Sequence, residues 1–287
     1  MRKLKEFCIE KLILFCGLAS IFFVILIFLF LLKEGLAVFK IASPFDFLFG
    51  KSWYPISEPA RLGILPLILG SLLVTLGAAI ISIPIGVGCA IYIAEVAPQK
   101  LKEILKAGIE LLAAIPSVVL GFIGMVTLVP MVKSLFHLPT GLTALSGSIM
   151  LAFMAMPTIV SIAEDALYSV PKNYKEGAFA LGASHWQTIR RVMLPAASSG
   201  ILAAVMLGIG RVIGETMAVM MITGNAAVMP RSILVPVRTL TATIAAEMGE
   251  AVVGSEHYFA LFAIGIVLFI ISFAINVTAD LFLHKRQ

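Results

Sequence analysis

Two charges stand inside the otherwise apolar run 196–222: Arg211 and Glu215, four positions apart on one helical face. At mid-membrane an arginine or an acid costs roughly 2.5–3.5 kcal/mol on insertion scales, and about twenty apolar neighbours at roughly 0.3–0.6 kcal/mol each still carry such a helix in. Lipid exposure of the pair would be costly, so it is expected to face a bundle interior or a water-filled path. Two chemistries fit. Arg211 could pair with Glu215 as a structural lock, or it could offer its guanidinium fork to a tetrahedral oxyanion while Glu215 positions it and limits how tightly the anion is held.

Other chemistries find no footing. Gly50-Lys51-Ser52 matches the end of a phosphate-binding loop, yet the first glycine of that pattern falls on Phe45. The four histidines, His137, His185, His257 and His284, lie far apart, with no H-E-x-x-H pair and no G-x-S-x-G elbow. Cys8, Cys16 and Cys89 have no C-x-x-C spacing and read as apolar fillers, not as a disulfide framework or a zinc site. No metal, cofactor or catalytic residue is expected, and energy must come from another chain.

The elements that hold Arg211 and Glu215 follow from hydropathy. Of 287 residues 60% are hydrophobic and only 13% charged, with a mean hydropathy of +1.07. A soluble domain carries about a quarter charged residues, so this chain needs lipid as solvent. The net charge of +5 is scattered singly and in short clusters, which argues against nucleic acid. Leu12 to Leu32 carries no charge and spans about 31 Å as a helix, enough for a hydrocarbon core. It reads as a span and not a cleaved signal, being long for such a segment and lacking a small-x-small cleavage site.

Six spans are expected, near 12–32, 64–94, 104–132, 141–163, 196–222 and 258–283, an all-α polytopic bundle. Pro66 and Pro84 predict a kink, a tilt or an interfacial start in the second. Small residues at Gly86 and Gly88, Gly121 and Gly124, and Gly210 and Gly214 mark close helix approach. Of 21 basic residues, 13 fall on one side, among them Arg2, Lys3, Lys5, Lys102, Lys106, Lys175, Arg190, Arg191, Lys285 and Arg286, against 7 opposite. Positive-inside bias makes that side, with both termini, cytoplasmic.

The cytoplasmic loop 164–195 is patterned. Pro171 suits a first helical position, Gly182 the left-handed residue that ends a helix, and Ser184 with Gln187 the capping box that starts another. Two short helices meeting at a turn form a stiff knob that a partner can grip. Here the chain resembles the permease subunits of binding-protein-dependent ABC importers, whose signature is Glu-Ala-Ala, three residues, Gly, nine residues, Ile-x-Leu-Pro. The matching residues are Glu176-Gly177-Ala178, Gly182 and Val192-Met193-Leu194-Pro195, with Gly177 and Val192 as departures. The resemblance implies that Glu176, Gly177, Ala178, Gly182, Leu194 and Pro195 couple to an ATPase subunit.

A narrower resemblance lies in Gly-Arg211-Val-Ile-Gly-Glu215-Thr-Met-Ala, Ala114-Ile-Pro116-Ser117-Val-Val, Thr239-Leu-Thr241-Ala-Thr243-Ile-Ala-Ala-Glu247-Met-Gly, and His257-Tyr-Phe-Ala-Leu-Phe-Ala-Ile-Gly. These runs are similar to the PstC-type permease of the phosphate-specific importer, from about residue 60 onward. The sister PstA type shares the Arg-x-x-Gly-Glu-Thr run and then diverges. The resemblance implies a type I importer fold, phosphate as cargo, and Arg211 and Glu215 in its pathway. Ser117 and Thr158 take lesser places there, with repair of the kinks at Pro116 and Pro157 as the other reading of both hydroxyls. It also implies a homologous permease, two ATP-binding subunits and an extracytoplasmic phosphate-binding protein as partners. The chain then divides into 1–63 (tail, first span and external loop), 64–283 (transmembrane domain) and the tail 284–287. The external loop within 33–63 carries no assignable pattern. A stand-alone carrier or a membrane enzyme is the rival class, opposed by the organised loop and by the lack of a catalytic constellation.

Overall fold

The computed structural model describes the backbone of residues 2–284 and their side chains except 2–5, 8, 279, 280 and 282–284. The role expected of Cys8, the basic residues Arg2, Lys3, Lys5, Lys285 and Arg286, and most of the tail 284–287 therefore fall outside the described side chains. Helix α1 (Arg2–Gly35) has no internal breaker and runs to Gly35, which packs against Ala263 and Ile266. The following segment is folded: a 3-10 turn Leu36–Lys40, α2 (Pro44–Phe49), and the antiparallel strands β1 (Trp53–Tyr54) and β2 (Arg61–Leu62). Val38, Phe47, Trp53 and Leu62 bury themselves with Leu67, Leu240, Leu261 and Ile264.

Helix α3 (Leu65–Ile91) continues through a π-helical turn, Tyr92–Val96. Pro66 sits in the first turn, where its missing N–H is no loss, and Pro84 lies inside without ending the helix. The third expected span is displaced. Helix α4 (Gln99–Ala114) is amphipathic and carries Lys102, Glu103, Lys106 and Glu110, and the chain is extended at Ile115 and Pro116. A residue before proline is driven out of the helical region, so the run 104–132 breaks there. The crossing is instead α5 (Ser117–Val126) with α6 (Leu128–Leu135).

Helix α7 (Ala144–Tyr168) starts on Thr143, whose Oγ1 accepts from the Ser146 N–H at 3.2 Å. Next come α8 (Lys172–Ala180), α9 (His185–Thr188), a π-helical turn Ile189–Met193 and α10 (Leu194–Ala196). The chain then bends by 70° into α11 (Ser198–Gly214), followed by α12 (Met217–Ile222), α13 (Leu240–Glu247) and α14 (Glu256–His284). Five stretches among the described residues are long and apolar enough to cross a membrane, in α1, α3, α5 with α6, α7 and α14. A sixth candidate is α11 taken together with the bent segment His185–Ala196 before it, so five to six crossings in an all-α architecture stand against the six expected.

At the centre α3 and α7 run parallel, Gly77 meeting Ser148 near one end and Gly86 meeting Ile159 further along. Helix α11 runs antiparallel to α7: Gly200 meets Ala166 and Gly208 meets Ile159. Ile159 is fully buried between them, since Cβ atoms added at Gly86 and Gly208 would lie 2.9 and 2.5 Å from its side chain. Without a hydrophobic force between helices in lipid, such close approach is what holds the bundle. Gly210 and Gly214, by contrast, stand where an added Cβ would meet no atom of the described residues within 4 Å.

Candidate functional site

The fifth crossing is broken at its charged centre. Gly214 ends α11, Glu215 is extended at φ −68° and ψ 131°, and α12 begins after Thr216. Arg211 and Glu215 therefore do not share a helical face, and no ion pair joins them. The reason is local: glycine is a poor helix interior, and the Glu215 carboxylate gains a backbone donor outside the helix. It accepts from the Ala218 N–H at 3.2 Å, while its carbonyl accepts from Thr241 Oγ1 at 2.9 Å. The structural-lock reading fails on this geometry.

Arg211 lies in the last turn of α11, where the helix carbonyls favour a cation. Its Nη1 reaches Thr158 Oγ1 at 3.5 Å, a contact at the outer limit of hydrogen bonding that leaves its donors nearly free. The guanidinium is exposed, and so are Leu207 and Gly214 on the same face of α11. The structure thus brings Thr158 to Arg211, turns Glu215 to a capping task beside it, and leaves Ser117 at the start of α5 without a side-chain hydrogen bond among the described residues. Kink repair is not the hydroxyls' use here: Thr158 faces Arg211, and Ser117 bonds no freed carbonyl.

The loop 164–195 has the expected hairpin. Helix α8 begins one residue later than expected, with Pro171 flanking it, and Gly182 has φ +81°, the left-handed region glycine adopts without strain. The capping box is complete: Gln187 N–H donates to Ser184 Oγ at 3.3 Å and Ser184 N–H to Gln187 Oε1 at 2.8 Å. Ala178 is buried and Leu194 packs with Leu167, Met193 and Ile91, whereas Glu176, Gly177, Gly182 and Pro195 are exposed. Leu181 at 90% exposure and Trp186 at 62% make an apolar tip on this knob.

Three paired carboxylates, Glu164 buried and Glu95 and Glu247 half-buried, escaped sequence reasoning. Glu164, at the end of α7, receives Lys102 and Lys106 of α4, both at 2.9 Å. The hydrogen bond to Glu164 holds the Lys106 ammonium above the usual lysine range against a smaller desolvating effect. The four-residue spacing of Lys102 and Lys106 on an amphipathic helix was the available signal. Glu95, in the turn ending α3, is bonded by Lys175 of α8 at 2.5 Å. Glu247, ending α13, gathers Arg238 Nη1, His257 Nε2 at 2.8 Å and Trp53 Nε1 at 3.1 Å. It ties the 36–64 segment to the opposite end of the bundle from the hairpin.

Residues 82–286 match the family described as the inner membrane component of binding-protein-dependent transport systems. The probable ABC transporter permease protein YqgH of Bacillus subtilis is 42% identical over 95% of this chain and 89% of its own length. The phosphate transport system permease protein PstC of Mesorhizobium japonicum is 37% identical over 84% and 79%. The fold resembles a chain of a bacterial alginate ABC transporter solved with its periplasmic protein, with TM-score 0.65 at 17% identity over 94% of this chain and 93% of that one. The match across the bundle and the hairpin places the chain in this family: it is a multi-pass membrane component of a binding-protein-dependent transport system.

Proposed function

We propose that the chain is the transmembrane permease subunit of an ATP-driven phosphate importer and moves inorganic phosphate by alternating access. The observation that carries the cargo is Arg211, a cation inside the apolar run 196–222 whose one hydrogen-bond acceptor among the described residues is a weak one, on a face of α11 that the described residues leave open. Facing lipid, that arrangement would be costly; facing a homologous permease across a wet path, it presents a guanidinium fork to a tetrahedral oxyanion. Relatives named as PstC phosphate permeases favour this cargo and the PstC type over its sister. Thr158 shares the path with Arg211, Ser117 lies at its edge, and Glu215 fixes the break that shapes it.

The hairpin then serves as the coupling element. Glu176, Gly177 and Gly182 present its surface to an ATP-binding subunit, and Ala178, Leu194 and Pro195 fix its base. Closure of two such ATPase subunits would push the hairpins and switch the crossings from inward-open to outward-open. Both termini and the loop 164–195 lie in the cytoplasm, the 36–64 segment faces the extracytoplasmic phosphate-binding protein, and 64–283 is the transmembrane domain. The chain itself does no chemistry. Uptake of labelled phosphate and of sulfate into vesicles holding the chain and its operon partners, with and without ATP, tests the proposal. ATP-dependent phosphate uptake that fails with sulfate is expected, and uptake of another solute instead would remove phosphate as the cargo.

A further inference from the structure

The Glu95 side chain is only 6% exposed, and among the described residues its one ionic partner is Lys175 of α8. It sits on the π-helical turn that ends α3, beside a groove of about 410 Å³ lined by Ala94, Leu167, Val170, Phe179 and Met193. A buried carboxylate stripped of its cation is heavily penalised, whereas one that keeps it is not. Any displacement of α8 therefore either drags the end of α3 along or strands Glu95. The other cytoplasmic ion cluster works differently: Glu164 ties α7 to α4, and among the described residues its ion pairs are with Lys102 and Lys106, not with the hairpin.

We infer that the Glu95–Lys175 pair is the tether through which movement of the hairpin reaches α3, which makes Glu95 a positioning residue for coupling. Helix α3 is a suitable receiver. It packs along α7 through Gly77 and Gly86, and Gly86 touches the same Ile159 that Gly208 of α11 touches. A pull on its end thus passes by direct contact to the helix that carries Arg211. Apolar packing of Leu194 and Met193 on Leu167 and Ile91 anchors the base of the hairpin, but α8 itself holds α3 through this one charged contact.

The inference rests on the reading of α8 as the ATPase-coupling helix, and the experiment separates the two. The full complex is purified in lipid nanodiscs to measure how much ATPase subunit is retained, and in proteoliposomes to measure phosphate moved per ATP hydrolysed. Loss of the ATPase subunits by Gly182→Val, with retention by Glu95→Gln, is the pattern expected if α8 docks the ATPase and Glu95 does not. Glu95→Gln and Lys175→Glu are each expected to lower phosphate moved per ATP by about fivefold or more while ATP hydrolysis persists. The double variant Glu95→Lys with Lys175→Glu, which restores the pair in reverse, is expected to return the ratio to within about twofold of the parent. A parent-like ratio for Glu95→Gln overturns the tether. So does a double variant no better than Lys175→Glu alone, since a pair that acts as the tether must work in either polarity, and loss of ATPase retention or of ATP hydrolysis in Glu95→Gln would mark a merely structural pair instead.

Discussion

Replacing Arg211 by Gln separates a structural role from a transport role, because the structure assigns this side chain almost no structural work. Its one side-chain hydrogen bond among the described residues is to Thr158 at 3.5 Å, and Glu215 is engaged with the Ala218 N–H. No carboxylate is orphaned by the change. Stability should stay within about 0.5 kcal/mol, as for exposed positions, a shift of about 1–2 °C in the melting midpoint of the solubilised complex. A hydrogen bond from a charged group is worth about 1.5–3 kcal/mol, and each 1.4 kcal/mol is a factor of ten. Phosphate uptake at subsaturating concentration should therefore fall roughly 10- to 150-fold in proteoliposomes holding the whole complex. Arg211→Lys keeps the charge without the bidentate fork and should land between parent and Gln. Glu215→Gln can still accept from Ala218, so a cycle of Arg211→Gln with Glu215→Gln should show no coupling in stability. Parent-like uptake by Arg211→Gln, or stability coupling above about 0.5 kcal/mol, would refute the reasoning.

Three further outcomes follow from contacts elsewhere. Glu164→Gln leaves two lysines facing a 97%-buried site and should lower stability by about 3 kcal/mol, near the low end because Lys106 is 40% exposed and can turn to water. A pH titration of the melting midpoint checks the sign: Lys106 is held above its usual range, so its contribution is full at neutral pH and is lost only at strongly alkaline pH. Gly208→Val drives a side chain into Ile159 and should cost about 1–3 kcal/mol, part of it recovered by Ile159→Ala in the same chain; thermal melts of the three variants decide. Gly182→Ala and Gly177→Ala both meet open space, yet the first should cost about 1–2 kcal/mol for its positive φ, while the second should favour α8 by about 0.5–1 kcal/mol. Reduced ATPase binding by Gly177→Ala despite that gain would put the partner directly against residue 177.

The architecture was legible where one local signal decides it. Apolar length marked the crossings, and Pro171, Gly182, Ser184 and Gln187 marked the hairpin to within a residue because caps and turns are set by nearby atoms. The two breaks were harder. A hydropathy window over 104–132 or 196–222 stays apolar across a helix end, so only the backbone preferences near Pro116 and Gly214 pointed to them, and these were outweighed by the run. That is why Arg211 and Glu215 were set on one face. The long-range pairings were not legible: Glu247 and Trp53 are 194 residues apart, Glu95 and Lys175 are 80, and a single sequence does not say which distant donor meets which acid.

The distribution of paired and unpaired charge argues for where this bundle is finished and where it is not. Glu164 at one end is buried, Glu95 beside it and Glu247 at the other end are half-buried, and each is satisfied within the chain, by two, one and three donors respectively. Such groups cost folding little when paired and much when not, so their partners come from elements that must be held together. Arg211 departs from this pattern inside the apolar run 196–222, where an unmet charge is costly, and it does so beside Gly210 and Gly214, where an added side chain would meet no described atom within 4 Å. Sequences that specify a fold violate local rules mainly at working sites. On the function proposed above, an open glycine-bearing face that exposes one nearly free guanidinium is half of a site, to be completed by the surface of a second subunit and by the anion that passes between them.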